Sequence, residues 1–157
     1  MDTFARSRPV EGGVSAATGR GSLVPAGLVG AGISLLVVVG LIHLINSPGD
    51  LEEGSYTGFL YLANFFAALV AAIGIYRGNR WGWTLGFLVA GGAFTAYVIS
   101  RTVGLPGLGV ETDWFEPLGV LSLMVEALFV GVCLTILARS KGEASKVEAG
   151  SSAPDVQ

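Results

Sequence analysis

Four long apolar stretches are the feature of this sequence that most constrains its fold. They cover about residues 25–46, 57–76, 81–100 and 117–138. With a rise of about 1.5 Å per residue, a helix of roughly 20 residues crosses a hydrocarbon core of roughly 30 Å. Helices satisfy their own backbone hydrogen bonds in lipid, and the alternation of a transmembrane β-barrel is absent. We therefore predict an all-α fold, a transmembrane four-helix bundle.

The composition agrees with a membrane protein and excludes several functions. Hydrophobic residues make up 52% of the 157 residues, charged residues make up 13%, and the mean hydropathy is +0.66. A soluble surface needs more charge than this. Nine scattered Lys and Arg residues and a net charge of −3 form no basic patch, so nucleic acid is not an expected partner. The lipid bilayer is, and the sequence leaves open other membrane subunits or a homo-oligomer.

The segments outside the four spans are polar. Residues 1–24 contain Arg, Pro and many Gly without apolar periodicity, and residues 139–157 are rich in Ser, Gly, Glu and Lys. Both patterns predict disordered tails. The first span could instead be a secretory signal, but the apolar core of a signal is only about 7 to 15 residues long and no small-x-small cleavage site follows. We therefore expect the bundle to comprise residues 25–138.

The positive charges predict an orientation in the membrane. Eight of the nine Lys and Arg residues fall on one side of the predicted spans, and Arg101 lies on the other side among acidic residues. Because cytoplasmic loops carry the excess of Lys and Arg, we predict a multi-pass protein of the cell membrane with both termini cytoplasmic (N-in/C-in). Trp81 and Trp83 then lie at the inner interface and Trp114 near the outer one, where Trp residues are enriched.

Several polar residues fall in the outer half of the spans, where lipid makes them costly. Glu126 lies roughly 13 Å and Asn64 roughly 10 Å below the outer ends of their spans. Helical spacing places such residues on faces with small residues, as Gly86 and Ala90 share a face with Tyr97. Small residues let helices approach, so these faces should point into the bundle. The predicted outward-facing binding pocket comprises His43, Asn64, Tyr97, Arg101, Glu116, Ser122 and Glu126.

Each of these residues also has a structural explanation. Glu126 can be a neutral acid hydrogen-bonded to a facing helix, and Arg101 can snorkel to headgroups or pair with Glu116. His43 can be a hydrogen-bonded packing residue, and Asn64 can join two helices. Independent structural residues would not be expected to share one leaflet and one set of helix faces, so the combination favours a pocket.

The sequence contains no recognised catalytic pattern. It lacks a nucleophile elbow, an HExxH motif, a phosphate-binding loop and a pair of carboxylates within one helix. The single Cys and single His exclude an intrachain disulfide and a multi-histidine metal or haem site within one chain. We therefore predict no catalytic residues and no metal ligands, the sequence identifies no cofactor, and an enzyme is the less favoured class.

The second outer loop carries a resemblance. The stretch SRTVGLPG at 100–107, followed by EPLG at 116–119 and then Glu126, resembles a pattern in small four-span prokaryotic membrane proteins of unknown function. It covers this loop and about the last third of the spans. The resemblance implies a prokaryotic four-span protein and supplies no activity.

Three functions remain open at this point. The leading hypothesis is a non-enzymatic protein that binds a small molecule, a lipid headgroup or a partner subunit in the outward-facing pocket. The first alternative is a proton-coupled small-molecule transporter in which Glu126 alternates between proton and substrate, although no polar residues continue a path through the inner half. The second alternative is a membrane oxidoreductase or metal enzyme that uses His43 with Glu126.

Overall fold

Four helices form the whole of the regular structure that a computed structural model describes for this chain. The description covers residues 24–151, and residues 24–139 for side chains. The helices are α1 Ala26–Glu52, α2 Tyr56–Tyr76, α3 Arg80–Thr102 and α4 Pro117–Ser151. All four are long and apolar enough to cross a membrane, α4 over Pro117–Arg139. The predicted all-α transmembrane four-helix fold is confirmed.

The helices pack as a closed ring. Each helix contacts the next one in the chain, and α4 returns to contact α1. Short connections at 53–55 and 77–79 make consecutive helices antiparallel. We call the end of the bundle with the 53–55 connection and the 103–116 loop the polar end. The opposite end, with the 77–79 turn and Arg139, is the basic end.

Glycine makes both short connections possible. Gly54 and Gly78 have φ of 71° and 72°, in the left-handed region that glycine adopts without steric cost. In the second turn the Gly78 N–H donates to the Ile75 carbonyl and the Asn79 N–H to the Gly74 carbonyl, both at 2.9 Å. This is the Schellman pattern that ends a helix and satisfies its last carbonyls. At each of these connections the chain can therefore reverse direction within three residues.

The apolar core lies in the middle of the bundle and towards the basic end. Close approach of the helices there depends on glycine, because a Cβ on Gly32 would lie 2.6 Å from the Trp83 ring and one on Gly86 would lie 2.7 Å from the Phe129 ring. Trp83 and Phe129 stack with their ring centroids 6.1 Å apart. The buried core cluster comprises Leu36, Ala68, Ala71, Ala72, Ile75, Ala90 and Phe129.

The helix α1 is longer than predicted. The sequence predicts that the first span ends at residue 46, whereas α1 continues through Pro48 to Glu52. Proline has no N–H to donate to the carbonyl four residues earlier, which for Pro48 is Leu44. The Ser47 hydroxyl donates to that carbonyl at 2.9 Å. This substitute donor allows the helix to pass the proline.

The helix α4 is also longer than predicted. Residues 139–157 read as a disordered tail in the sequence, but the structure continues α4 to Ser151. Residues 139–151 include Lys, Glu and Ala, which have high helix propensity, so the helix can extend past its apolar part. Residues 152–157, and nearly all of the tail predicted for residues 1–24, lie outside the described residues.

The contact between α2 and α3 at the basic end yields a stability prediction. A Cβ on Gly82 would lie 2.5 Å from the Ile75 backbone nitrogen and 2.7 Å from the Gly74 carbonyl carbon. Backbone atoms cannot rotate away, so Gly82→Ala should cost about 1–3 kcal/mol of overpacking. This should exceed the gain of about 1 kcal/mol in helix propensity. We expect a lower thermal unfolding midpoint in detergent.

Gly91→Ala is the matched control for this experiment. Gly91 lies on the same helix, and a Cβ there would meet nothing within 4 Å. Its unfolding midpoint should equal or exceed that of the wild type. Equal midpoints for the two alanine variants would contradict the close approach at Gly82.

Candidate functional site

A cavity of about 1240 Å³ occupies the polar end of the bundle, between the four helices and beneath the 103–116 loop. The structure places all seven residues of the predicted pocket in its lining. They come from α1, α2, α3, α4 and the residue that precedes α4, and are His43, Asn64, Tyr97, Arg101, Glu116, Ser122 and Glu126. Their common location is a structural observation, and their role in binding stays a prediction.

Glu126 is the most deeply buried acid in the cavity lining, with 1% of its surface exposed. The Ser122 hydroxyl, one turn earlier on α4, donates to its Oε1 at 2.7 Å. The Nε2 of His43 lies 3.8 Å from the same oxygen, which is too long for a direct hydrogen bond. Its other oxygen, Oε2, has no hydrogen-bond partner. One half of this carboxyl group is therefore satisfied by the protein and the other half is not.

The ring of His43 is oriented by the backbone of its own helix. Its Nδ1 lies 2.9 Å from the Val39 carbonyl oxygen. A carbonyl oxygen can only accept, so Nδ1 carries the proton in this bond. In the neutral ring, Nε2 is then a hydrogen-bond acceptor. The Tyr61 ring packs against the imidazole edge to face, with the centroids 5.6 Å apart.

Asn64 joins α2 to α3, as one reading of the sequence predicts. Its Nδ2 donates to the Val89 carbonyl at 3.5 Å, a long hydrogen bond. Because that carbonyl can only accept, the amide NH₂ group faces α3. The amide oxygen Oδ1 is buried and has no partner. The cavity wall thus holds a second oxygen atom that the protein leaves unsatisfied.

Arg101 connects the end of α3 to the loop above the cavity. It is 7% exposed, and its guanidinium forms an ion pair with Glu116 at 2.9 Å, the pairing that the sequence suggests. It also pairs with Glu111 and donates from Nε to the Asp113 carbonyl at 2.9 Å. The guanidinium lies over the Tyr97 ring, 4.3 Å from the centroid. Most of its donors are therefore used to hold the loop.

Two tyrosines fix further points of the same loop. The Tyr97 hydroxyl donates to the Trp114 carbonyl at 3.1 Å, and the Tyr56 hydroxyl donates to the Pro106 carbonyl at 2.8 Å. Gly119 makes room for the first contact, because a Cβ there would lie 2.5 Å from the Tyr97 ring. The loop therefore folds back over the polar end.

The predicted set omits other polar lining residues, among them Asp50 and Tyr61. Asp50 accepts a short hydrogen bond from the Thr57 hydroxyl, which joins the ends of α1 and α2. The helical spacing from His43 to Asp50 and from Tyr61 to Asn64 could have identified both. Asp50 lies beyond residue 46, where the predicted first span ends, but within α1.

The cavity is rich in negative charge. Of the described residues that line it, the only Lys or Arg is Arg101, which is already paired. A cavity lined mainly by one sign of charge focuses the electrostatic field and attracts ligands of the opposite sign. The lining acids are Asp50, Glu53, Glu111, Asp113, Glu116 and Glu126.

The comparisons with known proteins give no relative: no family model, curated protein or solved structure matches the chain. Within residues 24–139, no group of three His, Cys, Asp or Glu side chains is arranged to hold a metal ion. The cavity is therefore interpreted from its own geometry.

The loop contacts of Arg101 yield a prediction about backbone dynamics. Arg101→Lys keeps the charge but cannot reach Glu111, Glu116 and the Asp113 carbonyl together. Hydrogen bonds to charged groups contribute about 1.5–3 kcal/mol each, so losing one should speed local opening roughly 10-fold or more. We expect faster hydrogen exchange in the 103–116 loop, above all at the Glu111 amide, which donates to the Ser100 carbonyl.

The control is Arg80→Lys, because Arg80 is exposed at the start of the same helix. Hydrogen exchange followed by mass spectrometry on both variants in lipid nanodiscs separates the effects. If the loop peptides exchange at the wild-type rate in Arg101→Lys, Arg101 does not hold the loop.

Proposed function

We propose that this chain is a membrane protein that binds a small molecule in the cavity at its polar end, and that this end faces the outside of the cell. The observation that carries the proposal is the pair of buried, unpartnered oxygens in the cavity lining, on Glu126 and Asn64. Leaving such a group unsatisfied costs about 1–3 kcal/mol. A bound ligand that donates to both oxygens removes this cost.

The size of the cavity supports the same proposal. Small-molecule sites measure roughly 300–1,000 Å³ and combine apolar walls with a few placed polar groups. This cavity is slightly larger than that range, and polar groups line it beside apolar residues such as Ala67, Val89 and Ala93. It can therefore hold a ligand of substantial size.

The packing near Glu126 favours binding over transport. Val125, the neighbour of Glu126, packs with Val39 and Ile42 in a buried apolar cluster. One turn further along α4, Phe129 is fully buried beside Leu36. These side chains fill the bundle towards the basic end. A proton-coupled transporter that uses Glu126 would need a polar path through this layer, whereas a binding protein does not.

A cavity-filling substitution tests whether the cavity binds a ligand. Ala93 lines the cavity, so Ala93→Leu places bulk in the ligand space. Ala127→Leu adds the same bulk on an exposed face of α4 and is the control. After gentle purification from the native membrane, mass spectrometry should find a bound compound with the wild type and with Ala127→Leu. Overpacking of about 1–3 kcal/mol should weaken binding about 5- to 150-fold in Ala93→Leu and lower the amount of compound that co-purifies.

Two outcomes would contradict this expectation. The wild-type protein could carry no compound in a fixed ratio, or the two leucine variants could lose it equally. In either case the unpartnered oxygens would be features of packing alone. Co-purification of a stable protein subunit in place of a compound would favour the partner-subunit alternative.

Cysteine labelling tests the proposed orientation. In a Cys133→Ala background, Thr112→Cys places a thiol in the polar-end loop and Asn79→Cys places one in the basic-end turn. Both native residues are exposed and uncharged, so the Lys and Arg distribution that sets orientation does not change. A membrane-impermeant maleimide should label Thr112→Cys in intact cells and Asn79→Cys only after lysis. The reverse pattern would overturn the N-in/C-in orientation.

A further inference from the structure

The two buried side-chain atoms in the cavity lining that have no hydrogen-bond partner are both oxygens that can accept a hydrogen bond. Asn64 turns its NH₂ group to the Val89 carbonyl and leaves Oδ1 free, and His43 uses its Nδ1 proton on the Val39 carbonyl and leaves Nε2. Glu126 accepts from Ser122 at one oxygen and has no partner at the other. With Glu126 ionised and His43 neutral, the carboxylate, the Asn64 amide oxygen and the His43 Nε2 can all accept hydrogen bonds from a ligand that supplies donors.

The charge around these acceptors specifies the ligand further. Six acids line the cavity, and two of them are paired with Arg101, the only Lys or Arg in the described lining. A ligand with a phosphate or carboxylate group would bring like charges together in a partly buried site. A primary ammonium group has a positive charge and three N–H donors. Its chemistry therefore matches both the charge and the three acceptors.

The wall between α2 and α3 shows where an apolar part of the ligand would lie. Leu60 on α2 and Leu88 on α3 both line the cavity, yet they are 54% and 63% exposed on the outside of the bundle. Between them the wall is built from small, exposed residues, Ala63, Gly92 and Ala96. The cavity thus reaches the lipid-facing surface between two helices. An alkyl chain can occupy this opening while its head lies inside.

We propose that the cavity takes a long-chain primary amine from the surrounding leaflet, with the ammonium group at Glu126, Asn64 and His43 and the chain in the opening between α2 and α3. This inference rests on the proposed function and names the chemical class of its ligand. Entry from the leaflet follows from the apolar rim at Leu60 and Leu88. The deep position of Glu126, 1% exposed, keeps the ammonium away from water.

A headgroup series on the wild-type protein tests the proposal without any substitution. The protein is reconstituted in phosphatidylcholine nanodiscs and titrated with dodecylamine, dodecyltrimethylammonium, dodecanol or propylamine, and one-to-one adducts are quantified by native mass spectrometry. Dodecylamine should bind roughly tenfold or more tightly than the other three, because they lack N–H donors, charge or the alkyl chain, respectively. Equal binding of dodecylamine and dodecyltrimethylammonium would overturn the role of the acceptors. If propylamine bound as tightly as dodecylamine, the leaflet opening would have no role in binding.

Substitutions locate the dodecylamine site. Glu126→Gln retains an acceptor for Ser122 but cannot carry a negative charge, and Asn64→Leu keeps a similar shape without the acceptor. Each should weaken dodecylamine binding roughly 10- to 100-fold. Ala96→Leu should narrow the opening and should also weaken dodecylamine binding. Ala127→Leu should bind dodecylamine as the wild type does. Wild-type affinity in monodisperse Glu126→Gln and Asn64→Leu proteins would place the amine elsewhere.

The outcomes separate this inference from the proposed function on which it rests. If dodecylamine shows no preference but a native compound is still lost in Ala93→Leu, the cavity binds a ligand and the amine class is wrong. If dodecylamine shows no preference and no native compound is found, both proposals fail.

Discussion

The polar end of the bundle is organised around one buried cation, Arg101. An ion that is removed from water is costly unless it is both paired and hydrogen-bonded, and Arg101 obtains these partners from Glu111, Glu116 and the Asp113 carbonyl. All three lie outside its own helix. Satisfying the guanidinium therefore draws the 103–116 loop back over the bundle. It also fixes the start of α4, because Glu116 is the residue before Pro117.

The two ends of the bundle use small residues with opposite results. At the basic end a glycine faces a backbone or a large ring, as Gly82 faces Ile75 and Gly86 faces Phe129, so the helices meet closely and leave little space. At the polar end Gly119 meets the Tyr97 ring in the same way, but Ala63 and Gly92 face the cavity. The same residue types therefore close one half of the bundle and open the other. What differs is whether a backbone or a large ring lies opposite the small residue.

The sequence predicts the features of this fold that depend on local pattern, and it does not predict those that depend on particular contacts. Span positions and helix faces follow from local periodicity, and the structure places the seven residues of the predicted pocket in the lining of one cavity. The contacts of Arg101 with Glu111 and Asp113 depend on how a 14-residue loop folds, which periodicity does not describe. The end of α1 depends on a local exchange of donors at Ser47 and Pro48. Such compensation cannot be recognised from propensity, because proline alone predicts a helix end.

Among the described residues, the two buried side-chain oxygens without partners, on Glu126 and Asn64, both belong to the lining of the cavity at the polar end. The fold can supply a donor to Glu126, since Ser122 does so at one oxygen. A purely structural role would be completed by a second hydroxyl on a facing helix. Along α3 the cavity wall includes Gly92, Ala93 and Ala96, which provide space and no side-chain donor, while Tyr97 and Arg101 use their donors on the loop and Glu116. Real proteins break such rules mainly where function requires it. Space and unsatisfied acceptors line the same cavity, which is the arrangement that a donor-bearing ligand needs.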